Sequence, residues 1–256
     1  MDPEVARSPG PAGSDTRPAE LGDGDPRTAE LAGNLGRLRA RIAEACARAG
    51  RDASTVTLVA VTKTFPATDI VRLARLGVTD IGENRDQEAR PKFAEAERLG
   101  ARVRRHFVGR LQRNKARSVA GYADMVHSVD SVRLATALGT AAAGRDRPLE
   151  VLVQVSLDGD PARGGVVAEG VAEVAEAVTA HRMLRLAGVM AVAPLGWPPA
   201  DAYARLADVA ADLRARYPDA RVISAGMSGD FEVALAYGAT HVRLGSALLG
   251  KRPPVR

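Results

Sequence analysis

The fold is decided by the stretch from Val56 to Gly77, which reads VTLVAVTKTFPATDIVRLARLG. Its first six residues are rich in β-branched and apolar side chains without alternation, which is typical of a strand buried on both faces. Ile70, Leu73 and Leu76 then recur at helical spacing up to Gly77, a residue type that commonly ends a helix. The stretch therefore predicts one strand followed by one helix.

The same unit repeats along the chain. The further strand candidates are Thr79–Gly82, His106–Gly109, Met125–Val129, Val151–Ser156, Leu186–Val192, Arg221–Ala225 and His241–Leu244. Each but the last is followed by a segment with a helical pattern, so the chain holds about eight units. Alternating strands and helices imply parallel strands with right-handed crossovers. Eight units in 256 residues favour closure into a single α/β (β/α)8 TIM barrel, with an open doubly wound sheet as the alternative.

Residues 1–27 differ in composition from the rest of the chain. They hold five prolines and four glycines with few aliphatic residues, and we predict a disordered tail followed by one domain over residues 28–256. Three of the 36 basic and six of the 31 acidic residues fall in the tail. The domain therefore carries a formal charge of about +8, which is compatible with an anionic ligand.

The domain is expected to open with a helix. An apolar stripe at helical spacing runs through Leu31, Leu35, Leu38 and Ile42, with Thr28 as a candidate N-cap. Cys46, the single cysteine, lies one turn beyond this stripe and is interpreted as a small core residue.

Composition also limits where the protein acts. No run approaches the roughly 18 apolar residues of a membrane span, and the N-terminus lacks the pattern of a signal peptide. We therefore expect a cytoplasmic protein without a membrane partner. The four histidines, His106, His127, His181 and His241, lack the spacing of a metal site, so they are interpreted as structural and no metal is expected.

In such a barrel the functional groups lie at the carboxyl ends of the strands. Lys63 follows the first predicted strand, and small, glycine-rich loops follow the last two, at Ser224–Asp230 and Gly245-Ser246. Loops after the seventh and eighth strands of a barrel often bind phosphate through backbone N–H groups. The pattern predicts a ligand that carries a phosphate.

Lys63 is conspicuous because only four of the 36 basic residues are lysines. A desolvated lysine amine can lose its proton and attack an aldehyde, whereas an arginine cannot form an imine. A lysine at a strand end that simply extends to solvent would show the same spacing, so the pattern alone leaves both interpretations open.

Several motifs together resemble one known family. They are Ala60–Thr64, Gly82-Glu83-Asn84 with Gln87-Glu88, His106–Gly109 with Leu111-Gln112 and Asn114-Lys115, Ser224–Asp230, and Val242–Ser246. From about Leu31 to Lys251 the chain resembles the pyridoxal phosphate homeostasis protein family, also called the proline synthetase co-transcribed family. That family is similar to the N-terminal barrel of alanine racemases.

The resemblance implies a cofactor and a site. Pyridoxal 5'-phosphate would form a Schiff base with Lys63, and Arg243 would lie beside the pyridine nitrogen. The other implied cofactor-binding residues are Asn84 near the ring, and Met227, Ser228, Gly245 and Ser246 around the phosphate. The chain departs from the family at Arg85, where an aromatic residue is usual, and at Arg163-Gly164-Gly165, where a lysine is usual.

The resemblance implies a carrier or reservoir in vitamin B6 homeostasis. An arginine beside the pyridine nitrogen disfavours the protonated ring that acts as an electron sink. Racemases of this fold class take a tyrosine from a further domain, whereas this chain stops at Arg256, and its own tyrosines fall in helical patterns. We therefore expect no catalytic residues. The expected partners are the cofactor and apo-enzymes that receive it, and the expected state is a monomer or weak dimer.

Two alternatives come from other functional classes. A single-domain pyridoxal-phosphate-dependent amino-acid racemase would use the same lysine. Nucleic-acid binding is suggested by the basic stretch from Arg102 to Arg117, but part of that stretch belongs to the family motifs and aromatic residues for base stacking are scarce. We interpret the stretch as a solvated basic face and expect no nucleic-acid partner.

Overall fold

The computed structural model describes residues 24–160 and 163–250. Residues 1–23 of the predicted tail lie outside this range. Residues 24–27 lie inside it, and the first helix, α1 (Pro26–Arg48), begins before the predicted cap at Thr28. Asp25 is the N-cap instead, since its carboxylate accepts a hydrogen bond of 3.2 Å from the N–H of Arg27. Proline at the first helical position has no N–H to satisfy there.

The eight strands form one closed parallel barrel in sequence order. They are β1 (Thr57–Val61), β2 (Asp80–Glu83), β3 (Arg104–Phe107), β4 (Met125–Val129), β5 (Leu149–Gln154), β6 (Leu184–Met190), β7 (Val222–Ser224) and β8 (His241–Leu244). Closure is made by β8 against β1, where Thr57 is in register with His241. This pairing confirms the barrel and excludes the open sheet.

Within the described residues, eight further helices surround the barrel. They are α2 (Ala67–Arg75), α3 (Asp86–Arg98), α4 (Ala116–Tyr122), α5 (Val132–Ala142), α6 (Val171–Thr179), α7 (Pro199–Arg216), α8 (Phe231–Ala236) and α9 (Ser246–Leu249). Helix α1 is tied to α2, because Arg27 bonds Asp69 at 2.7 Å and Arg72 bonds Asp25 at 2.5 Å. Among the described residues no helix is both long and apolar enough to cross a bilayer.

The core lies mostly between the barrel and its helices. It is built from buried aliphatic side chains, and Cys46 is part of it with 1% of its surface exposed, as predicted. A smaller apolar cluster of Met125, Leu152, Ala187 and Met190 is separate from this core. Several buried polar side chains accompany the strands, including His106 and His127.

Three strands begin two residues earlier than the sequence predicts. For β3 the reason is electrostatic: the strand opens with Arg104 and Arg105, charged residues that disfavour a buried strand. Both side chains lie at the amino-terminal rim, where Arg104 pairs with Glu150 and Arg105 pairs with Asp124. The other two strands are β5 and β6.

Candidate functional site

A cavity of about 420 Å³ opens at the carboxyl-terminal end of the barrel. We call it the barrel-mouth cavity. All seven predicted site residues line it: Lys63, Asn84, Met227, Ser228, Arg243, Gly245 and Ser246. The rest of the described lining consists of glycines and the apolar side chains of Val61, Phe65, Val108 and Val192. The structure thus brings residues from β1, β2, β7 and β8 to one place.

Lys63 is half-buried in a tight turn that ends β1. The turn is closed by the N–H of Phe65, which donates to the carbonyl of Thr62 at 3.0 Å. Thr64 has a φ of 70°, a left-handed conformation that is strained for a β-branched residue. Such strain at a ligand site persists only where the surroundings impose it. Lys63 is therefore held by a backbone that its neighbours constrain.

A buried lysine donates a hydrogen bond to the main chain of this turn. The ammonium of Lys92 on α3 donates to the carbonyl of Thr62 at 3.0 Å and to the carboxylates of Glu83 and Glu88 at 2.7 Å each. Glu88 in turn accepts the N–H of Thr64 at 2.6 Å. We call Lys92, Glu83 and Glu88 the Lys92 cluster. The cluster therefore holds the main chain of Thr62 and Thr64, on both sides of Lys63, through hydrogen bonds.

The pKa values of the two carboxylates in the Lys92 cluster shift in opposite directions. Burial raises the pKa of Glu83 although Lys92 and Thr62 donate hydrogen bonds to it. The pKa of Glu88 is lowered, because the hydrogen bonds from Lys92 and from the N–H of Thr64 outweigh its partial burial. The ionised form of Glu88 is thus the one that the fold favours.

Asn84 faces the cavity just after β2. Its side-chain oxygen is buried and has no hydrogen-bond partner among the described residues. Gly109 approaches so closely that a Cβ there would lie 2.1 Å from the main-chain oxygen of Asn84. A side chain at position 109 would therefore displace Asn84, and the unpaired oxygen leaves an acceptor for a ligand.

The loop after β7 is shaped by Asp230. Its carboxylate accepts the N–H of Met227 at 2.6 Å and the hydroxyl of Tyr203 at 2.7 Å. Gly226 has a φ of +88°, and a Cβ there would lie 2.8 Å from the Cα of Phe231. Asp230 lies at the N-cap position of α8, but its side chain makes no capping bond and instead anchors the loop.

The two glycine-rich loops meet each other. The hydroxyl of Ser228 accepts the N–H of Ala247 at 3.3 Å, which joins the loop after β7 to the start of α9. Among the described residues, the N–H groups of Ser228 and Gly229 donate to no main-chain carbonyl. This small, backbone-rich corner is the part of the cavity suited to a phosphate.

Arg243 also lines the cavity and is 6% exposed. Its guanidinium donates to the hydroxyl of Ser224 at 2.8 Å and to the carbonyl of Ala191 at 2.9 Å. Burial lowers the pKa of Arg243 to about 10, so the group stays protonated at neutral pH. The cavity therefore holds a fixed positive charge at its buried side.

Sequence reasoning missed the residues that support this lining. The helical pattern around Tyr203 gives no sign of a role at the site; its ring is buried, but its hydroxyl also donates to Asp230. Ser224 belongs to a motif that the sequence singles out, yet its bond to Arg243 depends on the neighbouring strands β7 and β8. Nothing in the local sequence points to Lys92, because its partners are reached only through the packing of α3 on the barrel.

The basic stretch from Arg102 to Arg117 does not form one face. Arg102, Arg104 and Arg105 line a cleft of about 550 Å³ that also holds Asp80 and Glu150 from the amino-terminal ends of their strands. Arg110, Arg113 and Lys115 line a cleft of about 800 Å³ that shares Asn84 with the barrel-mouth cavity. The stretch is divided between the two ends of the barrel.

Three of the four histidines lie close together in the fold although they are far apart in the sequence. Rings of His106, His127 and His241 lie within 6.5 Å of one another, centre to centre. Among the described residues, however, no group of three or more His, Cys, Asp or Glu side chains has a geometry that could hold a metal ion. The contacts of these histidines are hydrogen bonds to one another and to side chains such as Asp80.

Known proteins resemble this chain over most of its length. Residues 33–253 match the family model described as "Alanine racemase, N-terminal domain". The pyridoxal phosphate homeostasis protein of Mycobacterium tuberculosis is 45% identical over 251 residues, which cover 91% of this chain and 97% of that protein. A solved structure of an unknown protein from Bifidobacterium adolescentis has a TM-score of 0.81 at 30% identity, covering 88% of this chain and 96% of that one. PipY of Synechococcus elongatus, solved with PLP bound, has a TM-score of 0.75 at 33% identity and covers 86% of this chain and 100% of that one.

Proposed function

The chain belongs to the pyridoxal phosphate homeostasis protein family, and from that premise we propose that it binds pyridoxal 5'-phosphate in the barrel-mouth cavity as a carrier or reservoir. In this proposal Lys63 forms the Schiff base, and Asn84, Arg243 and the loops around Ser228 and Ser246 hold the rest of the molecule. The observation that carries it is the meeting of a lysine, a buried arginine and a glycine-rich corner in one cavity. PipY, a relative of known structure, has been solved with PLP bound.

The cavity fits this ligand in size and chemistry. Its volume of about 420 Å³ lies within the range of about 300–1,000 Å³ found for small-molecule sites. The unpaired, buried oxygen of Asn84 needs a polar partner that the described protein does not supply. Because an amide's oxygen and nitrogen are assigned from their surroundings, Asn84 can serve a ligand as acceptor or donor.

Each residue has a defined task when the ligand is bound. The cofactor supplies an electrophilic aldehyde and an aromatic ring that can withdraw electrons. Lys63 supplies the amine that attacks the aldehyde. Arg243, protonated at neutral pH, presents N–H donors to the ring nitrogen and disfavours a proton there. The glycine-rich corner offers backbone N–H groups to the phosphate.

The same lining favours storage over turnover. Apart from Lys63 and Arg243, the described lining carries no ionisable side chain, so it offers no second base to accept a substrate proton. Tyr203 does not fill that role, because its hydroxyl donates to Asp230 and burial raises its pKa well above the usual value. Carbanion chemistry would therefore rest on Lys63 alone, with a ring that Arg243 keeps unprotonated.

The proposal extends to the setting of the protein. A reservoir must release the cofactor to apo-enzymes, and the half-exposed loop at Met227, 41% exposed, lies at the rim where a recipient would approach. We propose a cytoplasmic location, because the single cysteine, Cys46, is buried and unpaired, as suits a reducing compartment. A monomer or weak dimer is the proposed state.

A titration with pyridoxal phosphate tests the proposal. We expect a visible absorbance band from the Schiff base that is lost in Lys63→Ala and retained in Lys115→Ala, a lysine that lines a different cleft. A band of full intensity in Lys63→Ala would contradict the assignment of the lysine. Incubation with L- and D-amino acids, followed by optical rotation, tests the carrier role: sustained turnover above the free cofactor would favour the racemase alternative.

A further inference from the structure

A row of buried polar side chains connects the two ends of the barrel. Asp80 Oδ1 lies 2.8 Å from His106 Nε2, His106 Nδ1 lies 2.9 Å from His127 Nε2, and His127 Nδ1 lies 2.9 Å from Ser224 Oγ. Ser224 Oγ then accepts from Arg243 Nη1 at 2.8 Å. All five residues are buried, with at most 8% of their surface exposed. We call these five residues the histidine row.

The carboxylate at one end of the histidine row sets the direction of its hydrogen bonds. An ionised Asp80 can only accept, so His106 must donate from Nε2. A neutral His106 then accepts at Nδ1, which makes Nε2 of His127 the donor. At the other end Arg243 can only donate, so Ser224 accepts from it and keeps its own hydroxyl proton to give to Nδ1 of His127. The carboxylate end sets the direction, and the guanidinium end is compatible with it.

The electrostatic surroundings favour this arrangement. Burial lowers the pKa of His127 well below its usual range, and the charges of neighbouring groups such as Arg243 act in the same direction, so the ring is neutral. Asp80 is buried, but hydrogen bonds from His106 and Thr79 outweigh that cost and hold its pKa below the usual value. A neutral ring between an anion and a cation accepts at one nitrogen and donates at the other.

The two ends of the row face different spaces. Asp80 lines the 550 Å³ cleft at the amino-terminal rim, together with Arg104 and Glu150. Arg243 lines the barrel-mouth cavity. Besides its bond to Ser224, the guanidinium is held by one other described group, the carbonyl of Ala191. The orientation of Arg243 in the cavity thus depends on a hydroxyl whose own direction is set through two histidines.

We propose that Asp80, His106, His127 and Ser224 are positioning residues for Arg243, which fix its guanidinium toward the ligand and couple it to the carboxylate at the opposite end of the barrel. The identity of the ligand in this statement rests on the proposed function. None of the four residues lines the barrel-mouth cavity, so they act only through Arg243.

The first test needs no ligand. In protein labelled with ¹⁵N-histidine, long-range ¹H–¹⁵N correlations report which ring nitrogen carries the proton. We expect His106 and His127 both to be neutral with the proton on Nε2. A proton on Nδ1 of either ring, or a doubly protonated ring at pH 7, would overturn the direction of the row and with it the proposal.

A second test breaks the row at one atom. Ser224→Ala removes the hydroxyl between His127 and Arg243, and Ser128→Ala is a matched control, because Ser128 is equally buried and its hydroxyl has no partner among the described residues. In ¹⁵N-arginine protein we expect slow rotation of the Arg243 guanidinium in the wild type and in Ser128→Ala, and faster rotation in Ser224→Ala. Equal rotation in all three would refute a positioning role.

The third test acts at the far end. Asp80→Asn keeps an acceptor but removes the charge that fixes the direction, so we expect mixed tautomers of His106 and His127. Coupling of this kind changes affinity by about threefold to tenfold. We therefore expect pyridoxal phosphate to bind that much more weakly to Asp80→Asn and Ser224→Ala than to Ser128→Ala. Unchanged affinity in both variants would contradict the coupling. If the wild type itself failed to bind, the proposed function would fail, while the two ligand-free tests would still decide the inference.

Discussion

The ammonium of Lys92 donates a hydrogen bond of 3.0 Å to the carbonyl of Thr62, the residue that precedes Lys63. This contact joins helix α3 to the end of β1. It makes a second lysine, buried and paired with two carboxylates, part of the support for the lysine that we propose as the binding residue. Four predictions follow from the geometry around these two lysines and from the buried polar groups near them.

Replacing Lys92 with methionine should destabilise the fold strongly. The substitution keeps the length of the side chain but leaves Glu83, which is fully buried, without its cation. Removing one partner of a buried ion pair costs about 3–5 kcal/mol, so the midpoint of urea unfolding should fall accordingly. Lys115→Met, at a lysine of the 800 Å³ cleft that forms no salt bridge with another described residue, should change stability by no more than about 0.5 kcal/mol. Equal midpoints for both variants would show that the Lys92 cluster contributes little.

Relieving the strain at Thr64 should stabilise the protein. Asparagine accepts a φ of 70° far more readily than a β-branched residue, and the Thr64 side chain is exposed, so little packing is lost. We expect Thr64→Asn to raise the free energy of unfolding by about 1 kcal/mol. Thr64→Val is the control, because it keeps the branching and therefore the strain. The expectation is wrong if Thr64→Asn is no more stable than Thr64→Val.

Asn84→Leu should separate stability from binding. In the ligand-free protein the substitution removes a buried oxygen that has no partner, so the free energy of unfolding should stay equal or rise. With pyridoxal phosphate present, the variant should bind about tenfold more weakly, as expected for the loss of about one hydrogen bond. Thermal unfolding with and without the cofactor measures both effects. Asn114→Leu, at an exposed asparagine, serves as the control, and an equal cofactor-induced shift in both variants would count against a role for Asn84.

Acid should destabilise the protein in part through His241. Burial lowers the pKa of His241 to about 4, and the charges of Arg104 and Arg243 act in the same direction, while Asp80 opposes them. Below about pH 6.5 the unfolded chain takes up a proton on this histidine and the folded protein does not, so the free energy of unfolding falls as the pH is lowered from 6.5 toward 4. The contribution of this group to the loss is about 3 kcal/mol.

The variant His241→Gln measures that contribution. It keeps a polar side chain but removes the titrating ring, so its free energy of unfolding should depend less on pH between 6.5 and 4 than that of the wild type. Denaturant unfolding at a series of pH values supplies the comparison. Parallel curves for the two proteins would mean that His241 is protonated in the fold as easily as in the unfolded chain.

Much of the fold follows from local pattern. The apolar run that ends at Val61 and the helical stripes that follow such strands are properties of neighbouring residues, so they can be predicted directly from the sequence. The loops of the candidate site could also be located, since a barrel brings the carboxyl ends of its strands to one face. The starts of β3, β5 and β6 lie two residues before the predicted ones; β3 begins with two half-buried arginines that pair with carboxylates far along the chain.

The sequence by itself determined the repeating strand–helix unit, the position of Lys63 at a strand end and the glycine-rich loops, because each depends on the conformational preferences of adjacent residues. Only the tertiary structure decided that Lys92 lies beneath Thr62 and that His106, His127 and Ser224 form a row ending at Arg243. These contacts depend on the register between strands, and a shift of one residue would turn a side chain from the inside of the barrel to the outside. Register is set by the packing of the whole barrel, so no local stretch of sequence contains it.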